Sequence, residues 1–210
     1  MIVLDLYFAR HGQSYGNLPG SSHLPGSGEP AHYVPLDQRL PGIDPGLKDW
    51  RLTPLGQRQA QALGERLAGI PFDAIYCSPH ERARATAQAI VERQPHPVEL
   101  KIEPDVVEVC DCNGETPEHW RARALRAARA LRNNASPGAR VLVVSHAGFG
   151  DFLLHALFGL PGPDHLFRFG HTNTGLTRVI FYGEDSPAWD RVRLYQMNDT
   201  SHLTPELISS

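Results

Sequence analysis

The sequence has little cysteine, no long apolar run and no large excess of either charge, and each shortage excludes something. Three cysteines in 210 residues (Cys77, Cys110 and Cys112) make an odd count with no disulfide spacing, which suits a reducing compartment. The Cys-x-Cys pair lacks a second Cys or His pair at ligand spacing, so it does not read as a zinc site. No stretch approaches the roughly 18 apolar residues of a spanning helix. The apolar segment 2–8 contains Asp5, follows no basic region and precedes no small-residue cleavage site, so it is expected to be a buried strand rather than a signal peptide. A formal net charge of −3 argues against nucleic acid or an anionic membrane as partner. The expectation is a cytoplasmic protein with neither.

What is present is ordinary for a globular chain: 41% hydrophobic and 20% charged residues. The length fits one α/β domain over 1–210 that buries its own core. Strand-like runs at 3–9, 73–77, 100–103, 140–145, 174–182 and 192–196 alternate with helical patterns. Thr53-Pro54, Ser78-Pro79 and Thr116-Pro117 each place a hydroxyl residue at an N-cap and proline at the first helical position. They predict helices running to about Gly69, Gln94 and Asn134, and a fourth is predicted over 149–158. Such βα alternation implies a single three-layer domain, a mostly parallel central sheet with helices on both faces. Functional residues then gather at the carboxyl ends of the strands. The segment 18–50 breaks the pattern, being dense in Gly, Pro, Ser and Asp, and is expected to be a loop over the site.

Eleven histidines prompt a search for sites, and two of them fall at strand ends. Arg10-His11-Gly12 follows the first strand, with Asn17 a few residues on; alone, it would equally suit a partly buried turn. Ser145-His146-Ala147-Gly148 follows the strand at 140–145 and precedes a helix. Ser78-Pro79-His80-Glu81-Arg82 puts Arg82 in the first turn of a helix. A cation there opposes the helix dipole, so anion binding explains it better than structure does. Arg84 and most arginines between Arg121 and Arg132 read as solvated. Glu108 lies in an otherwise apolar stretch, as a general acid requires, with Asp111 and Glu115 as open competitors.

These stretches, with Leu52-Thr53-x-x-Gly56-x-x-Gln59-Ala60 and Thr86-Ala87, resemble the histidine phosphatase superfamily, the phosphoglycerate-mutase-like branch, in its order and over nearly the whole chain. The resemblance implies that His11 is the nucleophile that becomes phosphorylated and that Glu108 is the proton donor. It implies a phosphate pocket of Arg10, Arg82 and His146, with Asn17 and the backbone at Ala147 adding donors. Thr174, after Asn173, receives no role. The expected substrate is a small phosphorylated metabolite and no cofactor or metal is implied, because two arginines and a protonated His146 take the place of Mg²⁺. His11 must attack as the neutral base, with one ring nitrogen donating to an acceptor that fixes its tautomer.

The chain departs from the pattern at His80, where leucine is common, which is read either as exposed or as near the substrate. The longer 18–50 insert, with His23, His32, Tyr33 and Arg39, leaves specificity open. Phosphatase is favoured over a phosphoglycerate mutase-type phosphotransfer because the chain is short. An inactive phospho-ligand binder would be expected to have lost part of the set, and no His-x-x-x-His or Asp-rich spacing supports a metallohydrolase. The Arg-rich helix neither requires nor excludes a homodimer.

Overall fold

The computed structural model describes residues 1–17, 51–110, 114–161, 168–187 and 191–209. The 18–50 insert and Asp111 lie outside the described residues. Strand β1 (Ile2–Arg10) is buried from Leu4 onward. Leu4, Leu6 and Phe8 enter one core, while Tyr7 and Ala9 enter a second on the opposite face. Strand β4 (Ala139–Ser145) divides Val141 and Val143 from Leu142 and Val144 in the same way. A strand covered on both faces must be apolar at successive positions, which is why these two read as runs. Asp5, the interruption in the first run, is buried and accepts hydrogen bonds from Arg178 Nε and Nη2 at 2.9 Å each.

The other strands are β2 (Ala74–Cys77), β3 (Leu100–Ile102), β5 (Leu176–Tyr182) and β6 (Val192–Asp199). They form one sheet of order β3-β2-β4-β1-β5-β6. The first four in that order pair in parallel; β5 and β6 add on antiparallel. The mostly parallel sheet expected from the sequence is therefore present, with an antiparallel edge. Strand β5 starts two residues later than predicted because Thr174 has a φ of 58°, a left-handed backbone that a strand cannot accommodate.

Helices α1 (Pro54–Leu67) and α2 (Glu81–Val91) cover one face, with Leu63, Leu67, Ala83, Ala87 and Ile90 in its core. Helices α3 (Pro117–Asn133) and α4 (Ala147–Phe158) cover the other, with Ala124, Ala127, Leu131, Phe149 and Leu153. No helix among the described residues is long and apolar enough to cross a membrane. Thr53 caps α1 as predicted, its hydroxyl accepting from Gly56 N at 3.0 Å. The start of α2 differs: its N-cap is His80, not Ser78. The Ser78 hydroxyl instead lies 2.8 Å from His146 Nε2, a partner that sequence alone does not reveal. Cys77 is free and buried, whereas Cys110 is disulfide-bonded. That corrects the expectation of no disulfide, because spacing rules do not capture the local course of the backbone.

Candidate active site

The register aligns Arg10 of β1 with Ser145 of β4, and Cys77 of β2 with Val144. The next residues along each strand, His11, Ser78 and His146, therefore leave the sheet on one edge. The loop carrying His11 is pinned on every side. His11 N donates to Ser145 O at 2.9 Å and Gly12 N to Thr86 Oγ1 at 3.0 Å. Gln13 N donates to the Gln59 side chain at 2.7 Å, and Asn173 Nδ2 to His11 O at 3.0 Å. Gly12 is required here because a Cβ would lie 2.5 Å from Gly56 O. Thr86, Gln59 and Asn173 are thus positioning groups to which the sequence assigned no role. The clue for Thr86 was its place four residues after Arg82, on the same helix face.

The ring of His11 is buried and its tautomer is fixed twice. Nδ1 lies 2.7 Å from Gly12 O, which can only accept, so Nδ1 carries the hydrogen. Arg82 Nε donates to Nε2 at 3.1 Å, so Nε2 presents its lone pair. Burial first, then Arg82 and Arg10, hold the imidazole well below its usual pKa, so it is neutral. This is the state the sequence argument demanded of a nucleophile.

His146 sits edge-on to His11, ring centroids 5.0 Å apart. Burial, followed by Arg82 and His11, lowers its pKa well below the ordinary value. That favours its neutral form, whereas the protonated His146 expected from the sequence belongs to the site with a phosphoryl group in it. The cause is that the groups around it are themselves cations and imidazoles, and only a dianion lodged among them would favour the proton. Arg10 Nη1 donates to His171 O at 2.6 Å, and its Nε has no partner among the described residues. Asn17 Oδ1 accepts from Ser14 N at 3.0 Å and from Ser14 Oγ at 3.2 Å, so its carbonyl end is used on the loop. Ala147 is the first residue of α4, directly after the N-cap His146.

Glu108 reaches the same helix start: its Oε1 accepts from Val109 N and from Phe149 N, each at 2.9 Å. Gly148 permits this approach, since a Cβ there would lie 2.5 Å from Val109 Cγ2 and 2.8 Å from Glu108 Oε1. Glu115, a competitor for the acid role, has both carboxylate oxygens bound to Arg123, at 3.2 and 3.0 Å. Arg121, Arg126, Arg129 and Arg132 are exposed, as expected of most arginines in that stretch, and so is Arg84; Arg123 is the exception and is buried. Its position was legible, for it lies four residues before Ala127 and eight before Leu131 on the buried stripe of α3. His80 is not exposed: it is 3% accessible and edge-on to His146, with ring centroids 4.8 Å apart. Neither of its ring nitrogens has a partner among the described residues. Among those residues no group of three His, Cys, Asp or Glu is arranged to hold a metal ion.

A neutral histidine whose Nε2 lone pair points to a guanidinium, with a second arginine and a second histidine beside it and a carboxylate at the same helix start, is the equipment of phosphoryl transfer through histidine. A family model described as "Histidine phosphatase superfamily (branch 1)" matches residues 37–110 and 103–194. The chain belongs to that superfamily. The Arg10-His11-Gly12 segment precedes the matched stretch, so its placement in the site rests on the geometry above. The chain is 29% identical over 176 residues to the serine/threonine-protein phosphatase Pgam5, mitochondrial, of Caenorhabditis elegans, covering 75% of this chain and 60% of that protein. It is 34% identical over 115 residues to the ecdysteroid-phosphate phosphatase of Bombyx mori, covering 49% of this chain but 17% of that one. The chain thus spans less than two thirds of either curated relative.

The fold matches the phosphoserine phosphatase of Entamoeba histolytica with a TM-score of 0.68 at 23% identity, covering 96% of this chain and 100% of that chain. It matches Bacillus stearothermophilus YhfR with a TM-score of 0.68 at 22% identity, covering 95% and 98%. The family model thus gives the superfamily, and these solved structures share the fold.

Proposed function

We propose that the protein hydrolyses small phosphate monoesters through a phosphohistidine formed on His11 Nε2. The observation that carries the reading is the doubly fixed tautomer: Nδ1–H to Gly12 O, and Nε2 beside Arg82. A phosphoryl group held by Arg10 and Arg82 meets fork-shaped donors matched to its oxygens. The Nε2 lone pair forms a bond to phosphorus as the ester P–O bond breaks. The departing alcohol oxygen takes a proton from Glu108. Because Oε1 is occupied by two backbone N–H groups, Oε2 is the oxygen that carries that proton.

In the second half a water gives a proton to the Glu108 carboxylate and attacks phosphorus. The P–N bond breaks, its electrons return to Nε2, and inorganic phosphate leaves. The dianionic group arriving between the arginines favours the protonated form of His146, which then adds a charge-assisted donor. Positioning and cationic groups around the equatorial oxygens supply the catalysis, with no step routed through a metal. A small-metabolite substrate is part of this reading, since the site's side chains are matched to one phosphoryl group.

The test is hydrolysis of p-nitrophenyl phosphate in excess EDTA. The wild type should turn over and His11→Ala should not. Activity abolished by EDTA, or retained in His11→Ala, would place the chemistry elsewhere.

A further inference from the structure

Arg123 comes from α3, outside the set that binds phosphate, yet it makes more hydrogen bonds to the acid-bearing segment than any group of the pocket does. Its Nη1 donates to Asp105 O at 3.1 Å and to Val107 O at 2.6 Å. Its Nη2 donates to Glu108 O at 3.4 Å and to Glu115 Oε2 at 3.0 Å, and its Nε to Glu115 Oε1 at 3.2 Å. The guanidinium is stacked over the Phe149 ring, 5.4 Å from its centroid. Phe149 is the residue whose backbone N–H holds the Glu108 carboxylate.

We propose that Arg123, oriented by Glu115, is the positioning residue for Glu108. One planar fork grips three carbonyls of the 105–108 segment, and its stacking face fixes the residue that holds the other end of the same side chain. Glu108 is thereby clamped at its backbone and at its carboxylate by two devices that share Phe149. A buried arginine is costly to keep unless its donors are used, and this one divides them between the carbonyls of the 105–108 segment and the Glu115 carboxylate. Glu115 supplies the countercharge that orients the fork bidentately. Simple anchoring of a loop would not require the anchor to pack on the acid's own hydrogen-bond donor.

This inference rests on Glu108 being the proton donor, and the experiment separates the two. Loss of acid assistance costs most when the leaving group is a strong base. Phenol, with a pKa of about 10 like the tyrosine side chain, needs the proton; p-nitrophenol, a far weaker base, needs it little. Arg123→Lys keeps a charge but loses the fork. It should lower kcat/KM on phenyl phosphate by about 10-fold or more, since acid catalysis is worth roughly 10²–10⁴-fold in all. The loss on p-nitrophenyl phosphate should stay below about 3-fold, with inhibition by orthovanadate unchanged. Glu115→Gln, the milder change, should show the same selectivity in smaller measure and decides the matter if Arg123→Lys does not fold.

Equal losses on both substrates, or weakened vanadate inhibition, would make Arg123 a structural anchor and overturn the proposal. Glu108→Gln is the control. If it shows no preference for hurting phenyl phosphate, Glu108 is not the acid, and the positioning role falls with it.

Discussion

His11 and His80 are both buried imidazoles within one cluster, and their hydrogen bonds separate their roles. His11 uses Nδ1 on Gly12 O and offers Nε2 beside a guanidinium. His80 offers two nitrogens to nothing among the described residues while its ring packs on His146. Burial, then Arg82 and Arg123, push its pKa down to about 3. An unsatisfied buried polar group costs about 1–3 kcal/mol, so His80→Leu should raise the thermal midpoint by a few degrees, on the scale of roughly 2–4 °C per kcal/mol for a chain of this size. Thermal unfolding of the two proteins checks it. An unchanged or lower midpoint would mean the imidazole has a partner that matters to folding. The sequence marked His80 as a departure but could not say that it is buried, because an isolated histidine after proline carries no periodicity to place it.

The decisive element is α4, whose start serves His146, Ala147 and the Glu108 carboxylate at once. Gly148 is the residue that lets the acid's segment close on the helix. Gly148→Ala should push Val109 and Glu108 away. A misplacement near 1 Å costs about 100-fold in rate, so kcat should fall by about that order while orthovanadate inhibition is retained. Kinetics with full vanadate inhibition curves check this, and an unaltered kcat would show that the segment shifts without moving the acid.

Much at this scale was legible. The strands at β1 and β4 were visible because burial on both faces demands apolar runs, and α1 announced itself through Thr53-Pro54. Ser78-Pro79 gave the same signal, but the hydroxyl went to His146 and the cap moved to His80. A capping motif cannot reveal a competing tertiary partner. Most arginines of α3 are on the surface, as read, and the exception, Arg123, was not singled out although its register with Ala127 and Leu131 places it on the buried stripe.

Over the whole molecule, the concentration of buried histidines makes stability sensitive to acid. His11 and His146 lie well below their ordinary pKa, His80 is lowered to about 3, and His171 and His202 to about 4, burial being the leading cause in each. In the unfolded chain these imidazoles bind protons near pH 6.5. Below that value the unfolded state holds more protons than the folded one, so stability is full above about pH 6.5 and is lost as pH falls toward the folded values. Each such group contributes up to about 1.4 kcal/mol per pH unit in that window. The thermal midpoint should therefore drop steeply between about pH 6.5 and 4.5, a range set by those same values. A flat profile would mean the histidines protonate without unfolding the site. The sequence supplied the histidine count but not this coupling, which depends on how many of them the fold buries.

The central claim is that His11 carries the phosphoryl group, and the most direct measurement is the intact mass of the enzyme quenched in alkali during turnover of p-nitrophenyl phosphate. Wild type should gain the mass of one phosphoryl group, labile to acid and assigned to His11 by fragmentation, and His11→Ala should gain none. A stable phosphoryl group on another residue, or turnover with no trapped adduct and undiminished activity in His11→Ala, would contradict the account.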